Sequence, residues 1–279
     1  MTHELEGIAV VVTGGGGGLG REYALAAAAA SASVVVNDVA PAAAVETVQL
    51  IRDAGGHAVA EPGSVAEAPM GERLVDACLA AYGRIDGLVN NAGVLNSGQS
   101  TAQEASVVAA SLATNVAGVI HCGTAAVRAM RRGTGGTIVN VVSGAMLGLP
   151  DLSLYGSTKA AVMGLTYGWA LENAGTSVRV NAISPLAWTP MSDLMGLDDS
   201  AKGLHPARIA PAVIYLLSSL SAPMNGQIVR FDGVRLGVMQ PPRVAAATTA
   251  DSWDASAIAA AFAGALRAAV APVGLVANS

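Results

Sequence analysis

The feature that most constrains the fold is a run of glycines between an apolar segment and an alanine-rich segment near the start of the chain. Residues 8–12 are Ile-Ala-Val-Val-Val, a pattern typical of a strand buried on both faces of a parallel sheet. Residues 13–20 follow as Thr-Gly-Gly-Gly-Gly-Gly-Leu-Gly, and a helix is predicted from about Arg21. This order brings backbone N–H groups and a helix N-terminus up to a pyrophosphate. Consecutive glycines also form linkers, but a linker is not expected between a strand and a helix so near the N-terminus.

The alternation of strands and helices continues to about residue 231. Seven predicted strands alternate with helices, which indicates a doubly wound parallel sheet, a Rossmann-like α/β fold that binds ligands beyond the C-terminal ends of its strands. Four polar residues fall at or just after such ends: Asp38, Asn90, Ser143 and Ser184. The strands are predicted near residues 8–12, 34–36, 57–61, 85–90, 136–142, 177–183 and 226–231. The first helix is predicted to begin near Arg21, and the other main helices lie near 41–54, 66–82, 103–131, 152–174 and 206–219.

The chain divides into two parts on this prediction. Residues 1–240 form a dinucleotide-binding catalytic domain, and residues 241–279 form an extension that begins with two prolines and an Ala/Thr-rich connector. In the extension Ile258, Phe262 and Leu266 recur every four residues, which predicts one narrow apolar stripe on a helix. That stripe packs against the catalytic domain or a neighbouring subunit, or it covers the substrate cleft.

Composition excludes several classes of protein. With 279 residues, 52% of them apolar and 13% charged, the chain has enough material for a large core and is not expected to be disordered. A net charge of −5 argues against nucleic acid as a partner. The longest apolar stretch, residues 256–276, is interrupted by Arg267 and Pro272, so no membrane span is expected.

No metal site and no secretory signal are predicted. The four histidines are scattered, and the two cysteines have no partners at metal-ligand spacing. The first seven residues contain neither a basic nor an apolar signal region. We therefore expect a cytoplasmic protein without a metal.

Asp38 bears on the choice of cofactor. It follows the second predicted strand and lies 18 residues after Gly20, close to where an acidic residue binds the adenosine ribose hydroxyls. A carboxylate there repels a 2′-phosphate, and the glycine turn and the strand end contain no Lys or Arg to attract one. NAD is therefore favoured over NADP, unless Asp38 only starts a turn.

Tyr155 and Lys159 are the candidate chemical groups. Residues four apart leave the same face of a helix. The ordinary pKa of tyrosine is about 10, and lowering it to about 7 takes roughly three pKa units, or about 4 kcal/mol. One ammonium and the positive ring of an oxidised nicotinamide in a partly desolvated cleft can provide this. A tyrosine and a lysine at this spacing also occur in ordinary helices, so the pair depends on its context.

Six motifs occur in order along the chain: Thr13-Gly14-x-x-x-Gly18-x-Gly20, Asn90-Asn91-Ala92-Gly93, Asn115, Ser143, Tyr155-x-x-x-Lys159 and Asn181-x-Ile183-x-Pro185. Together they resemble the short-chain dehydrogenase/reductase family. The resemblance covers residues 7 to about 237, and the local sequence at residues 36–38 and 185–191 is most similar to the dehydrogenase domain of peroxisomal multifunctional enzymes and to bacterial 3-hydroxyacyl-CoA dehydrogenases. The resemblance implies a homotetramer.

The resemblance implies a role for each catalytic candidate. Tyr155 acts as general acid and base, and Lys159 lowers its pKa and binds the nicotinamide ribose. Ser143 hydrogen-bonds the substrate oxygen, and Asn115 holds a water that links Lys159 to solvent. The gap of 12 residues between Ser143 and Tyr155 is one less than the commonest spacing, and Ser153 is the alternative.

The resemblance also implies how the cofactor is held. The glycines pack on the pyrophosphate, Asp38 binds the adenosine ribose, and Asn90 lies on the adenosine side or supports the sheet. Ile183 and Thr189 meet the carboxamide. Many members carry an acidic residue that meets the adenine, where this chain has Ser64. The predicted cofactor residues are Thr13, Gly14, Gly18, Leu19, Gly20, Asp38, Asn90, Ala92, Gly93, Tyr155, Lys159, Ile183, Pro185 and Thr189.

The predicted reaction is reversible hydride transfer between NAD and a secondary alcohol or ketone. Residues 186–204 predict an apolar cover over the cleft and hence a hydrophobic substrate, such as a hydroxyacyl thioester or a steroid, unless they only pack the loop onto the domain. The alternative function is an NAD(H)-binding regulator or scaffold without catalysis. The predicted substrate residues are Ser143, Leu186, Trp188, Met191 and Met195.

Overall fold

The computed structural model describes residues 3–188 and 204–274. In this part of the chain one sheet of eight strands has the order β3-β2-β1-β4-β5-β6-β7-β8. Strands β1 to β7 pair in parallel, and β8 is antiparallel to β7. The strands are β1 Ala9–Val12, β2 Ser33–Val36, β3 His57–Ala60, β4 Gly87–Asn90, β5 Gly136–Val141, β6 Val178–Pro185, β7 Ile228–Phe231 and β8 Leu236–Met239.

Helices cover both faces of the sheet, as the predicted doubly wound α/β fold requires. Short 3-10 turns occur at Ser100–Ala102, Gly144–Leu147, Pro206–Arg208, Ser219–Ser221 and Arg267–Ala269. The α-helices are α1 Gly18–Ala29, α2 Pro41–Asp53, α3 Met70–Tyr82, α4 Ala105–Leu112, α5 Gly118–Arg132, α6 Ser153–Glu172, α7 Ala210–Leu217 and α8 Ala255–Ala263.

Alternating side chains of the central strands build the core on each side of the sheet. In β1, Val10 and Val12 belong to the cluster under α1 and α7, whereas Ala9 and Val11 belong to the cluster under α3 and α5. All four are fully buried, because a parallel strand covered on both faces has no solvent side. The continuous apolar run at residues 8–12 follows from this arrangement.

Two predicted elements differ from the structure. The sheet has an eighth strand, β8, which the sequence does not signal because three of its four residues are exposed and one of these is a glycine. The single helix predicted near residues 103–131 is interrupted by a π-helical turn, Ala113–Ala117, which separates α4 from α5. A π turn shifts the phase of the side chains that follow it, but it does not end the helix.

One described segment passes a simple test for a membrane span. Residues Ala105–Arg132 are long and apolar enough by length and composition, a test that helices packed in protein cores also pass. Only 28% of the apolar window is buried, so much of this surface is open in the single chain.

The chain separates into two compact units, Met1–Met239 and Gln240–Ser279. In the second unit α8 is capped by Asp254, whose carboxylate accepts a hydrogen bond from the Ala257 N–H at 2.7 Å. Ile258 and Phe262 lie on α8 and are 45% and 52% exposed. Leu266 lies beyond the end of α8, so the predicted stripe is shorter than expected.

Candidate active site

A cavity of about 550 Å³ opens at the C-terminal ends of the parallel strands. The turns after β1 to β6 and the start of α6 contribute its walls. Twelve of the residues predicted from the sequence line it: Gly14, Gly18, Leu19, Gly20, Asp38, Ala92, Gly93, Ser143, Tyr155, Lys159, Pro185 and Leu186.

The glycine turn forms one end of the cavity. Gly14 and Gly18 have φ angles of 61° and 50°, which glycine adopts without strain. Helix α1 follows, and among the described residues no side chain caps its N-terminus at Gly17. A Cβ atom at Gly20 would overlap the Gly14 carbonyl, so only glycine lets the helix approach the strand this closely. Uncapped N–H groups and a helix N-terminus fit a pyrophosphate.

Asn91 holds the glycine turn in place, a role that sequence reasoning missed. Its side-chain amide donates to the Thr13 and Gly14 carbonyl oxygens at 3.0 and 3.1 Å. The Thr13 hydroxyl in turn accepts from the N–H groups of Asn91 and Ala92 at 3.0 and 3.1 Å. Thr13 therefore lies beneath the cavity and ties the end of β1 to the end of β4.

Asp38 lies at the cavity wall beside the glycine turn. Its carboxylate accepts hydrogen bonds from the Gly16 N–H at 2.9 Å and from the Ala40 N–H at 3.0 Å. Arg21 is the nearby cation, but its guanidinium donates to the Gly16 carbonyl oxygen and pairs with Glu46 at 2.7 Å. Within the described part of the chain, Asp38 and Lys159 are the two charged residues that line the cavity.

Tyr155 and Lys159 leave the first turns of α6 on the same face, as their spacing predicts. The Lys159 Nζ lies 5.6 Å from the centre of the Tyr155 ring. It donates a hydrogen bond to the Val141 carbonyl oxygen at 2.8 Å. Both side chains are buried, with 9% of Tyr155 and 4% of Lys159 exposed.

Burial shifts the pKa values of both Tyr155 and Lys159 in the ligand-free site. It raises the pKa of Tyr155 to about 12, and the interaction with Ser143 opposes this only in part. It also lowers the pKa of Lys159 to about 8. That Lys159 and an oxidised nicotinamide together lower the pKa of Tyr155 stays a prediction.

Ser143 lies next to Tyr155 at the end of β5. Its hydroxyl oxygen accepts a hydrogen bond from the Ala145 N–H at 3.2 Å, which leaves its proton free to be donated. Its interaction with Tyr155 lowers the pKa of the phenol, the effect expected from a donor to the phenolate. The alternative, Ser153, is exposed at the first residue of α6 and does not line the cavity. The 12-residue gap is thus long enough to bring Ser143 to Tyr155.

Asn115 lies behind the cavity wall, in the π-helical turn. Its side chain is fully buried and is bound to the backbone of Val94, accepting from the N–H at 2.7 Å and donating to the carbonyl oxygen at 2.8 Å. It also donates to the Thr158 hydroxyl at 3.0 Å. Its side chain therefore fixes the loop that forms the cavity wall at Gly93 and Val94.

Three predicted contact residues lie away from the cavity. Asn90 donates to Asn140 at 2.9 Å inside the sheet, which agrees with the sheet-supporting role rather than the adenosine role. Ile183 is fully buried in the core between the sheet and α1 and α7, so its side chain does not reach a carboxamide. Trp188 donates its backbone N–H to Leu204 at 2.8 Å and does not line the cavity. Thr189, Met191 and Met195 lie outside the described residues.

Apolar side chains contribute to the cavity lining. Val94, Leu95, Leu186 and Ala187 are among the lining residues, and Leu95 packs in a buried cluster with Tyr155. Sequence reasoning missed Val94 and Leu95, although their position just after the end of β4 is a usable signal. Among the described residues, no group of His, Cys, Asp or Glu side chains is arranged to hold a metal ion.

Comparison with known proteins places these features in a family context. Residues 8–195 match the family model described as short chain dehydrogenase. The chain is 31% identical over 250 residues to 2-(S)-hydroxypropyl-CoM dehydrogenase 3 of Xanthobacter autotrophicus, covering 84% of this chain and 98% of that protein. It is 36% identical over 217 residues to the peroxisomal hydratase-dehydrogenase-epimerase of Saccharomyces cerevisiae, covering 74% of this chain and 24% of that protein. A crystal structure of a short chain dehydrogenase from Mycobacterium avium aligns with a TM-score of 0.89 at 29% identity, covering 98% of this chain and 99% of that one.

Proposed function

The chain belongs to the short-chain dehydrogenase family of oxidoreductases that act on CH–OH groups, and we propose that it interconverts a hydrophobic secondary alcohol and a ketone with NAD. The observation that carries the proposal is the meeting of Tyr155, Lys159 and Ser143 at one end of a cavity whose other end is an uncapped helix N-terminus. The N-terminus of α1 would hold the pyrophosphate of a dinucleotide.

The proposed chemistry needs a proton acceptor and a partner for the substrate oxygen. NAD supplies the hydride acceptor for alcohol oxidation, and NADH the donor for ketone reduction. During oxidation the Tyr155 phenolate accepts the hydroxyl proton, and during reduction the phenol returns it. The Ser143 hydroxyl donates a hydrogen bond to the substrate oxygen as negative charge develops there. Lys159 holds positive charge near the Tyr155 ring and binds the ribose, and we assign the retention of a water near Lys159 to Asn115.

The preference for NAD rests on charge. The Asp38 carboxylate accepts two backbone hydrogen bonds and remains able to accept more from ribose hydroxyls. A 2′-phosphate next to this carboxylate is repelled. Arg21, the nearby cation, is paired with Glu46 and is not set up to bind a phosphate.

The hydrophobic substrate follows from the lining near Tyr155. Val94, Leu95, Leu186 and Ala187 are apolar, and they favour an alcohol whose carbinol carbon carries apolar groups. The open apolar surface of residues Ala105–Arg132 also supports the proposal of a homotetramer, because large exposed apolar surfaces mark protein interfaces.

A spectrophotometric screen tests the proposal. Purified protein is assayed with NAD or NADP against hydroxyacyl thioesters, steroid alcohols and simple secondary alcohols, and NADH binding is measured by fluorescence. We expect NAD-dependent turnover of at least one lipophilic alcohol and a fall of more than about 100-fold in Tyr155→Phe with unchanged NADH affinity. Binding of NADH without turnover anywhere in the panel would instead support the regulator, and normal turnover in Tyr155→Phe would reject the acid/base assignment.

A further inference from the structure

The side chains of Ser143 and Tyr155 lie on two segments that touch each other. Ser143 precedes the 3-10 turn Gly144–Leu147, and Tyr155 lies near the start of α6. The turn and the helix touch where Gly156, the neighbour of Tyr155, faces the carbonyl group of Ala145. This contact lies directly beside Ser143 and Tyr155, whose separation matters for proton transfer.

The contact leaves no space for a side chain. A Cβ atom built on Gly156 would lie 3.1 Å from the Ala145 carbonyl carbon and closer still to its oxygen. Real Cβ atoms do not come that close to a backbone oxygen, so the turn or the helix would have to move. Gly156 is therefore required by the approach of the two segments and not by a special φ angle.

Hydrogen bonds hold the backbone of both the turn and the helix at this contact. The Ala145 carbonyl oxygen accepts a hydrogen bond from the Gly148 N–H at 3.0 Å, which closes the turn. On the helix side, the Gly156 N–H donates to the Leu152 carbonyl oxygen at 2.7 Å. Ala145 is also buried, in the cluster that includes Tyr155. A side chain at position 156 would therefore push the whole turn away from the helix.

Two other glycines in α6 show that glycine there is not generally a packing requirement. Gly164 and Gly168 have open space where a Cβ would be. Glycine inside a helix costs roughly 0.5–1 kcal/mol relative to alanine. Gly156 carries the same cost, but its Cβ position is blocked.

We propose that Gly156 is a positioning residue, which sets the separation between Ser143 and Tyr155 by letting α6 pack directly on the turn after β5. This inference rests on the proposed function, since it concerns the same proton transfer.

The expected effect on the rate is large because proton transfer depends steeply on geometry. Relieving the overlap at position 156 requires a displacement on the order of 1 Å, and a misplacement of that size can reduce turnover about 100-fold. Gly156→Ala is therefore expected to lower kcat by about 10- to 100-fold, with unchanged affinity for NADH.

Gly164→Ala is the matched control, because it makes the same substitution in the same helix at an unblocked position. We expect kcat within about 2-fold of the wild type for this control. The pH dependence of kcat distinguishes a loss of positioning from general damage to the protein. Loss of the Ser143 interaction raises the pKa of Tyr155, so the acidic limb of alcohol oxidation shifts to higher pH in Gly156→Ala only.

Three results would overturn the proposal: Gly156→Ala with wild-type kcat, an unshifted acidic limb, or an equal loss in Gly164→Ala. If Gly156→Ala does not fold, a second variant combines this substitution with one glycine inserted between Leu149 and Pro150, so that the turn can move. The proposal is supported if this variant folds, has a low kcat and has its acidic limb at higher pH. Full turnover in this variant refutes the proposal. The proposed function fails separately, since in that case the wild type itself turns over no alcohol or ketone.

Discussion

Replacing Lys159 by methionine removes a positive charge from the buried end of the cavity and keeps an unbranched side chain of similar length. In the ligand-free protein the pKa of Lys159 is about 8, so the amine is mostly protonated at neutral pH. Whenever the phenol ionises at neutral pH, it therefore does so beside an ammonium. The substitution tests how much that charge contributes.

The distance between the two groups sets the magnitude. With 5.6 Å between Nζ and the ring centre, and an effective dielectric constant of about 20, Coulomb's law gives about 3 kcal/mol, or about two pKa units. The positive ring of a bound oxidised nicotinamide would lower the pKa of Tyr155 further in the wild type and in the variant alike. Lys159→Met is therefore expected to raise the pKa of Tyr155 by about two units relative to the wild type.

The assay is the pH dependence of kcat for alcohol oxidation with saturating NAD. Oxidation needs the phenolate, so the rate rises with pH until the phenol has lost its proton. Lys159→Met is expected to shift this rise upward by about two pH units and to lower the rate at neutral pH about 100-fold, with recovery toward high pH. Tyr155→Phe is the control, and its residual rate should show no such rise.

A different result would refute the electrostatic reasoning. If the rise of kcat with pH is not shifted in Lys159→Met, the lysine charge does not act on the phenol. A uniform loss at every pH, accompanied by weaker NADH binding, assigns Lys159 to cofactor binding alone.

Two further predictions concern the cofactor and the wall of the cavity. Asp38→Asn removes the charge and keeps one oxygen that can accept from either the Gly16 or the Ala40 N–H group, and we expect the ratio of kcat/KM for NAD over NADP to fall at least about 10-fold. An unchanged ratio contradicts the charge argument. Thr158→Val removes the hydroxyl that accepts a hydrogen bond from Asn115, and we expect the free energy of unfolding in urea to fall by about 1–2 kcal/mol. Thr158→Ser keeps a hydroxyl and should restore most of this loss. Equal losses in both variants would exclude the hydroxyl as the cause.

The sequence predicts the sheet well because its central strands are buried on both faces and therefore consist of apolar runs. β8 follows a different rule, since it is a short edge strand with exposed side chains that pairs only on one side. The π-helical turn at Ala113–Ala117 is also not signalled in the sequence, because it contains no proline or glycine that would mark an interruption of the helix. Local composition cannot reveal a feature that depends on a tertiary partner.

The same limit applies to the candidate site. The spacing of Tyr155 and Lys159 is a local property of one helix, and the structure keeps them on one face. The family resemblance left two roles open for Asn90, and its hydrogen bond inside the sheet agrees with the sheet-supporting one. Ile183 was expected at the carboxamide, but its side chain points into the core because side chains alternate along a strand. The requirement for glycine at position 156 comes from Ala145 in a different element, so no local pattern signals it.

Burial moves the two pKa values in opposite directions, yet both changes favour the uncharged side chain. The phenol of Tyr155 keeps its proton more tightly, and the amine of Lys159 loses its proton more easily. Alcohol oxidation needs the opposite state, a phenolate facing an ammonium. Of the two redox forms of the nicotinamide ring, only the oxidised one is positive, so only that form stabilises the phenolate. With the neutral reduced ring this stabilisation is absent, so we expect Tyr155 to stay protonated, which is the state that ketone reduction requires. We therefore expect the protonation of this buried pair to follow the redox state of a bound nicotinamide, so that one pair can serve both directions.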